Sequence, residues 1–202
     1  MVDEQVAAPA RSRGATDIAL IAGFAALIAA CALMPAIHVG AGIVPITLQT
    51  FGVLLAGAVL GARRGFLAVL LYLAVGLAGL PVFSGGAAGP AVFAGPTAGY
   101  LIGFPFGAWL CGLIVERLPR HKAAGSVPLV FAAGFVASAV FIHLFGIVGL
   151  MLRVPTSFSA AFRIDWVFWP GDLIKIAVMA LVATAVHRAF PDLLPQRRRA
   201  RA

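Results

Sequence analysis

Two ionisable residues stand one helical turn apart at the start of the last apolar segment of this chain. Asp172 and Lys175 follow a Pro-Gly pair and precede a run of apolar and small residues that continues to Thr184. A carboxylate accepts hydrogen bonds and an ammonium group donates them, so the pair can hold a polar molecule that carries both kinds of group. An ionisable group in a membrane segment costs about 3 kcal/mol or more and commonly faces a cavity, a partner or a substrate. We therefore expect this pair to belong to a binding site.

The same pair also has a purely structural interpretation. A carboxylate in the first turn of a helix interacts favourably with the helix dipole, and Pro170 suits the first helical position. Side chains three residues apart can form a simple ion pair. The aromatic residues Trp166, Phe168 and Trp169 suit a membrane-interface belt as well as the wall of a pocket. Both interpretations stay open at this point.

Further polar groups lie within other apolar segments. Thr47 and Thr50 share one helix face at the start of the second segment, and Gln49 between them offers two donors and an acceptor. Hydrogen bonding between helices is the simpler role for these groups, and ligand binding is the alternative. The same two roles are open to His143 in the fifth segment.

Composition indicates an integral membrane protein. Of 202 residues, 62% are hydrophobic and 11% are charged, whereas a soluble domain is about 45–50% apolar and about 25% charged. Backbone groups must be paired within lipid, so apolar segments near the spanning length predict helices. We expect an all-α integral membrane protein, a bundle of six transmembrane helices over residues 17–36, 46–60, 65–80, 98–118, 127–152 and 170–190.

The distribution of charge predicts how the bundle is oriented. The net charge is +8, and most Lys and Arg residues lie at the two termini and in every second connection. The positive-inside rule puts these regions in the cytoplasm, and it explains the excess charge without a nucleic-acid partner. We expect a multi-pass protein of the cell inner membrane, with Asp172 and Lys175 near its outer side. Its parts are a disordered cytoplasmic tail (1–16), a substrate-binding membrane domain (17–190) and a basic cytoplasmic tail (191–202).

The connection over residues 81–97 is unusual for a loop. It contains no charged residue, three prolines and four glycines. Irregular backbone at membrane depth is tolerated only where protein buries it or where it lines a cavity. We expect this segment to fold over the outer mouth of the bundle, and a flexible glycine-rich loop is the alternative.

Small residues recur every four positions on two segments, a spacing that lets helices approach closely. They are Ala22, Ala26 and Ala30 with Ala25 and Ala29 on the first segment, and Gly95, Gly99, Gly103 and Gly107 at the fourth. Packing within the bundle is the expected role of both sets. For the alanines, the more specific alternative is that they form a docking face for another protein.

Catalytic motifs are missing from the sequence. Neither lysine stands in a glycine-rich phosphate loop, which excludes ATP hydrolysis by that route. The histidines lack metal-ligand spacing, and both cysteines lie in apolar runs. Nothing in the spacing supports a membrane protease built on Ser84 and His143. We expect no enzyme activity, no catalytic residue, no metal and no cofactor.

Four motifs, at residues 44–50, 79–86, 95–104 and 170–175, resemble in sequence and order those of the BioY family. This family comprises the biotin-specific S components of energy-coupling factor (ECF) vitamin transporters. The resemblance implies a six-helix membrane protein that binds biotin and works with a transmembrane T component and cytoplasmic ATPases. It also implies that the alanine face of the first helix contacts the T component. The alternatives are an S component for another vitamin and a transporter that works without ATPases, and a homo-oligomer is a further option.

The resemblance also implies roles for particular residues. Asp172 can accept hydrogen bonds from the ureido N–H groups of biotin, and Lys175 can donate to the ureido carbonyl. Trp169, Phe93 or Tyr100 suit the sulfur-containing ring. The partner of the biotin carboxylate stays open between Arg153, Arg163 and the backbone N–H groups of Gly85 and Gly86. The expected substrate-binding residues are Asp172, Lys175, Thr47, Gln49, Tyr100, Trp169, Phe93, Gly85 and Gly86.

Overall fold

A computed structural model describes residues 13–37, 44–119 and 126–194, and the described chain is built from helices. They are α1 (Arg13–Leu33), α2 (Gln49–Leu60), α3 (Ala62–Leu77), α4 (Ala98–Arg117), α5 (Val127–Arg153), α6 (Phe158–Trp166) and α7 (Trp169–Ala189). The predicted tails over 1–16 and 191–202 lie largely outside the described residues. The prediction of an all-α membrane protein is confirmed.

Each predicted segment coincides with a helix, but the helices differ in their capacity to span a membrane. Within the described residues, α1, α4, α5 and α7 are long and apolar enough to cross. Helix α2 has 12 residues and α3 has 16, so at 1.5 Å per residue both fall short of a hydrocarbon core of about 30 Å. The count of six spans therefore stays a prediction.

Helices α2 and α3 form a hairpin joined by one residue. Gly61 has a φ of +84°, a conformation that side chains with a Cβ atom rarely adopt. The side chain of Glu116 accepts a hydrogen bond from the N–H of Ala62 (2.9 Å), which satisfies one of the unpaired donors at the start of α3. The hairpin carries Arg63 and Arg64 at its turn and thus presents the start of α2 at the opposite end of the bundle.

Three of the regularly spaced glycines bring α4 against α5. A Cβ atom at Gly99 or Gly103 would overlap a backbone carbonyl of α5, and one at Gly107 would press on the side chain of Ile142. Gly95 lies before the helix and has no such contact with α5. Because these two helices approach closely, Tyr100 of α4 lies near α5, and His143 of α5 lies near α4.

We expect Gly99→Ala to destabilise the protein. The added methyl group has no room against the backbone of α5, and overpacking typically costs about 1–3 kcal/mol. The midpoint of thermal unfolding in detergent should therefore fall. Gly23→Ala on α1 is the matched control, because nothing lies within 4 Å of its added Cβ atom. Equal midpoints for the two variants would contradict this close packing of α4 on α5.

Candidate functional site

A cavity of about 290 Å³ lies at the end of the bundle where α2, α4 and α7 begin. Its wall includes the extended residues before α2, residues from the first two turns of these helices and parts of the 81–97 segment. Apolar side chains form most of the surface, and a few polar groups converge on it. This combination is typical of small-molecule sites, whose volumes start at about 300 Å³.

Asp172, Lys175 and Thr50 form a triangle of hydrogen bonds on the cavity wall, which we call the clamp. Lys175 Nζ donates to Asp172 Oδ1 at 2.6 Å and to Thr50 Oγ1 at 3.2 Å. Thr50 in turn donates to the same Asp172 oxygen at 3.0 Å. The ion pair within α7 thus exists as the structural interpretation requires. It also lines a cavity, as the binding interpretation requires.

Gln49 fixes the start of α2 against α3. Its Nε2 atom donates to the Tyr72 hydroxyl at 2.6 Å, and its Oε1 atom accepts from the Thr47 hydroxyl at 2.9 Å. Gln49 and Thr47 line the cavity, and Tyr72 is buried behind it. Much of the amide's hydrogen-bonding capacity is therefore used within the protein.

The 81–97 segment forms one side of the cavity. Residues that line it include Phe83, Ser84, Ala87, Val92, Pro96 and Thr97. Phe83 is buried, and its ring fills the space left by the missing side chain of Gly76. Backbone pairing adds to this anchor, because the N–H of Gly89 donates to the carbonyl of Gly76 at 2.8 Å. The segment is thus attached to α3 and is part of the cavity wall.

A second polar cluster lies behind the clamp. Asp165 of α6 accepts hydrogen bonds from the Tyr100 hydroxyl (2.9 Å), from His143 Nδ1 (2.9 Å) and from the indole N–H of Trp169 (3.0 Å). The other nitrogen of His143 lies 3.3 Å from Asp172 Oδ2. His143 thus bonds across helices, and within the described chain it joins the second carboxylate to the clamp.

The structure brings most of the predicted polar residues together at the cavity. Those that line it are Asp172, Lys175, Thr47, Gln49 and Tyr100. Others do not, namely Trp169, Phe93, Gly85, Gly86, Arg153 and Arg163. Trp169 stacks on His143 instead, and its neighbour Phe168 takes the place on the wall, because adjacent helical residues point in different directions. Phe93 packs against Phe83, and Gly85 and Gly86 form the turn that begins at Ser84.

Sequence reasoning missed Asp165 and the helix that carries it. Helix α6 has only nine residues and lies in a stretch that we assigned to a connection. Its start does carry a signal, since the Ser157 hydroxyl accepts a hydrogen bond from the N–H of Ala160 at 3.3 Å, as an N-cap residue does. Asp165 also stands four residues before Trp169, which is the spacing of a helical side-chain pair.

The alanine face of α1 borders an open apolar groove of about 470 Å³. Ala22, Ala26 and Ala30 are exposed there, Ala29 is half-buried, and Ala25 is buried against the bundle. Tyr72 and Val75 of α3 are among the residues on the other side of the groove. One part of this face therefore packs on the bundle, and the other part is not covered by any described residue of the chain.

Comparison with known proteins gives concordant results. The model of the BioY family matches residues 4–192. The biotin transporter BioY of Rhizobium etli is 47% identical over 183 residues, which cover 90% of this chain and 97% of the relative. The protein of the same name from Rhodobacter capsulatus is 46% identical over 190 residues, with 88% and 96% covered.

A solved structure agrees with these relatives. It is the crystal structure of an S-component for biotin from an ECF-type ABC transporter, and it superimposes with a TM-score of 0.82 at 28% sequence identity. The match covers 90% of this chain and 95% of that chain. The described helices therefore have the arrangement of that S-component. The chain belongs to the BioY family.

Proposed function

We propose that this chain is the biotin-binding S component of an ECF-type ABC transporter and captures biotin at the outer face of the cell inner membrane. The observation that carries the proposal is the clamp on the wall of a small cavity, in a family whose relatives are named biotin transporters. As a member of that family the chain is a transport protein and not an enzyme. Both nitrogens of His143 face carboxylates, so this residue has no free base to activate Ser84.

The hydrogen-bonding capacity left on the clamp suits a ureido group. An ionised carboxylate has about four acceptor positions and an ammonium group has three donors. Thr50, Lys175 and His143 occupy three positions on Asp172, and Asp172 and Thr50 occupy two donors of Lys175. One acceptor position on Asp172 Oδ2 and one donor of Lys175 remain, which complement the N–H and C=O of a cyclic urea.

The rest of the cavity suits the remainder of the ligand. Tyr100, Phe104 and Phe168 supply an apolar wall for the sulfur-containing ring. For the ligand carboxylate, we assign the hydroxyls of Ser84 and Thr97, which line the cavity, together with the neighbouring N–H group of Gly85. These residues would replace the predicted Arg153 and Arg163, which lie away from the cavity lining. The other predicted donor, the N–H of Gly86, already donates to the carbonyl of Phe83 at 2.9 Å.

In the membrane, the proposed arrangement has six spans with both termini in the cytoplasm. Helix α2 is short, yet almost all of it is buried by neighbouring helices, so protein rather than lipid surrounds it. Arg63, Arg64 and Arg117 lie at the cytoplasmic end by the positive-inside rule, and the cavity opens at the other. The domain boundaries are the predicted ones, a membrane domain over 17–190 between two cytoplasmic tails.

The proposed partners are a transmembrane T component, which docks on the alanine face of α1, and the ATPases that the chain itself lacks. The assembly has two alternatives, which are transport without ATPases and self-association into a homo-oligomer. The alternative for the ligand is another vitamin. Purification of the chain from its native membrane tests the assembly, because each alternative predicts a different set of co-purifying subunits.

Isothermal titration of the detergent-purified protein with biotin tests the function directly. We expect binding at or below micromolar biotin, and no displacement by riboflavin, thiamine or pantothenate. Displacement by one of these vitamins would instead identify that vitamin as the ligand of the cavity. Absence of biotin binding at micromolar ligand would refute the proposal.

Lys175→Ala should weaken biotin binding at least tenfold, or about 1.4 kcal/mol. The substitution removes the donor proposed for the ureido carbonyl and leaves Asp172 with one partner fewer. Arg163→Ala is the matched control, because it removes a cation from α6 without changing the cavity lining. An unchanged dissociation constant for Lys175→Ala, or an equal loss for Arg163→Ala, would contradict the assignment.

A further inference from the structure

The carboxylate of Asp165 lies outside the ligand cavity and has almost no capacity left to bind a ligand. Its residue has no exposed surface, and it is absent from the cavity lining. Donors from α4, α5 and α7, at 2.9 to 3.0 Å, surround it. Burial of a carboxylate is costly unless such donors compensate for the lost water. Asp165 therefore serves the protein's own architecture.

His143 transmits the position of this carboxylate to the clamp. Its Nδ1 atom lies 2.9 Å from Asp165, and its Nε2 atom lies 3.3 Å from Asp172. Ionised carboxylates only accept hydrogen bonds, so both ring nitrogens must carry a hydrogen for both contacts to form. Lys175 and the doubly protonated ring then balance the two carboxylates, which suits a cluster that is largely withdrawn from water.

Packing holds the His143 ring in this bridging position. The indole of Trp169 stacks on it with ring centroids 4.4 Å apart and planes at 18°, while the indole N–H binds Asp165. His143 also ends the π-helical stretch Ser138–His143 of α5. Such stretches are frequent at functional sites because they change the direction in which side chains leave the helix.

We infer that Asp165 is a positioning residue for biotin binding and acts on Asp172 through His143, an inference that rests on the proposed function of the cavity. Asp165 keeps a hydrogen on Nδ1 of His143 and holds the edge of the ring. The N–H group at Nε2 therefore stays directed at Asp172 Oδ2. Asp172 Oδ1 then remains with Thr50 and Lys175, and the second acceptor position of Oδ2 is left for the ligand. Without Asp165 the ring loses one of its two anchors, and Asp172 loses a fixed donor.

A double-mutant cycle tests this route. We expect Asp165→Asn to weaken biotin binding about tenfold in an otherwise wild-type protein. In a His143→Gln background the same substitution should add less than about twofold, because residues of one network act non-additively. Asp17→Asn is the matched control, since this carboxylate pairs with Arg64 on α3 and is absent from the cavity lining. No loss in Asp165→Asn, or a full tenfold loss in the His143→Gln background, overturns the inference.

A spectroscopic measurement tests the same contact without ligand. In protein labelled with ¹⁵N-histidine near pH 7, the signal lost in His143→Gln identifies His143. We expect both of its nitrogens to be protonated in the wild type and one to be bare in Asp165→Asn. A bare nitrogen in the wild type overturns the inference, even where Asp165→Asn does not fold. Failure of the proposed function is distinguishable, because it would show as wild-type protein that does not bind biotin.

Discussion

Replacement of Asp172 by asparagine is expected to reduce biotin affinity roughly a hundredfold. Truncating one partner of a buried, hydrogen-bonded charge pair costs about 2–5 kcal/mol, and about 3 kcal/mol corresponds to two orders of magnitude. The amide has one acceptor oxygen where the carboxylate has two, and its NH₂ group would face Lys175 or His143, which are themselves donors. The ligand's acceptor is lost, and Lys175 is left without its counter-ion. Isothermal titration measures the loss.

Two further variants distinguish a specific loss at the clamp from a general loss of carboxylate charge. Asp17→Asn removes a carboxylate that lies outside the cavity lining and should leave the dissociation constant unchanged. In the double variant Asp172→Asn/Lys175→Ala, the loss of binding free energy should not exceed the sum of the two single losses, because the two side chains share one interaction. Wild-type affinity in both single variants would assign the ion pair to helix stability alone.

Ala26→Leu is expected to abolish biotin uptake through the ATPases while leaving biotin binding intact. Ala26 is exposed in the groove between α1 and α3, and close approach of a partner helix requires small side chains. A leucine there would fill the groove that the T component is proposed to occupy. Uptake of labelled biotin in cells and co-purification with the T component measure the effect, and both should fall to the level of cells that lack this chain.

The matched control for docking is Ala185→Leu. Ala185 is exposed on α7, a helix that does not border the groove, so the same substitution there should permit wild-type uptake and assembly. Normal uptake by Ala26→Leu would exclude the alanine face as the docking surface. Normal assembly with lost biotin binding would show instead that the groove supports the cavity, because Tyr72 lines the groove and its hydroxyl accepts a hydrogen bond from Gln49 of the cavity wall.

Hydropathy and local spacing were sufficient to predict the helices and the clamp's central pair. Each helix predicted from an apolar run is found within four residues of its expected ends, because chain length in lipid and residues such as Pro170 and Gly61 limit where helices begin and end. Asp172 and Lys175 are three apart on one helix, so their contact depends on helical geometry alone. The alanine periodicity of α1 was visible for the same reason.

The partners of the clamp depended on packing that no local pattern encodes. Thr50 meets Asp172 across 122 positions of sequence, and Tyr100 meets Asp165 across 65. Which of Phe168 and Trp169 faces the cavity follows from the rotation of α7 against α2 and α5, and a rotation of about 100° exchanges adjacent residues.

The sequence by itself thus determined that this is a helical membrane protein with an acceptor and a donor at the start of its last helix, because those features follow from composition and from one helical turn. Only the tertiary structure decided that Asp172 is held by Thr50, Lys175 and His143 at once, and that Asp165 stands behind them. Convergence of this kind is set by the distances and rotations between helices, which arise from the summed packing of the whole bundle.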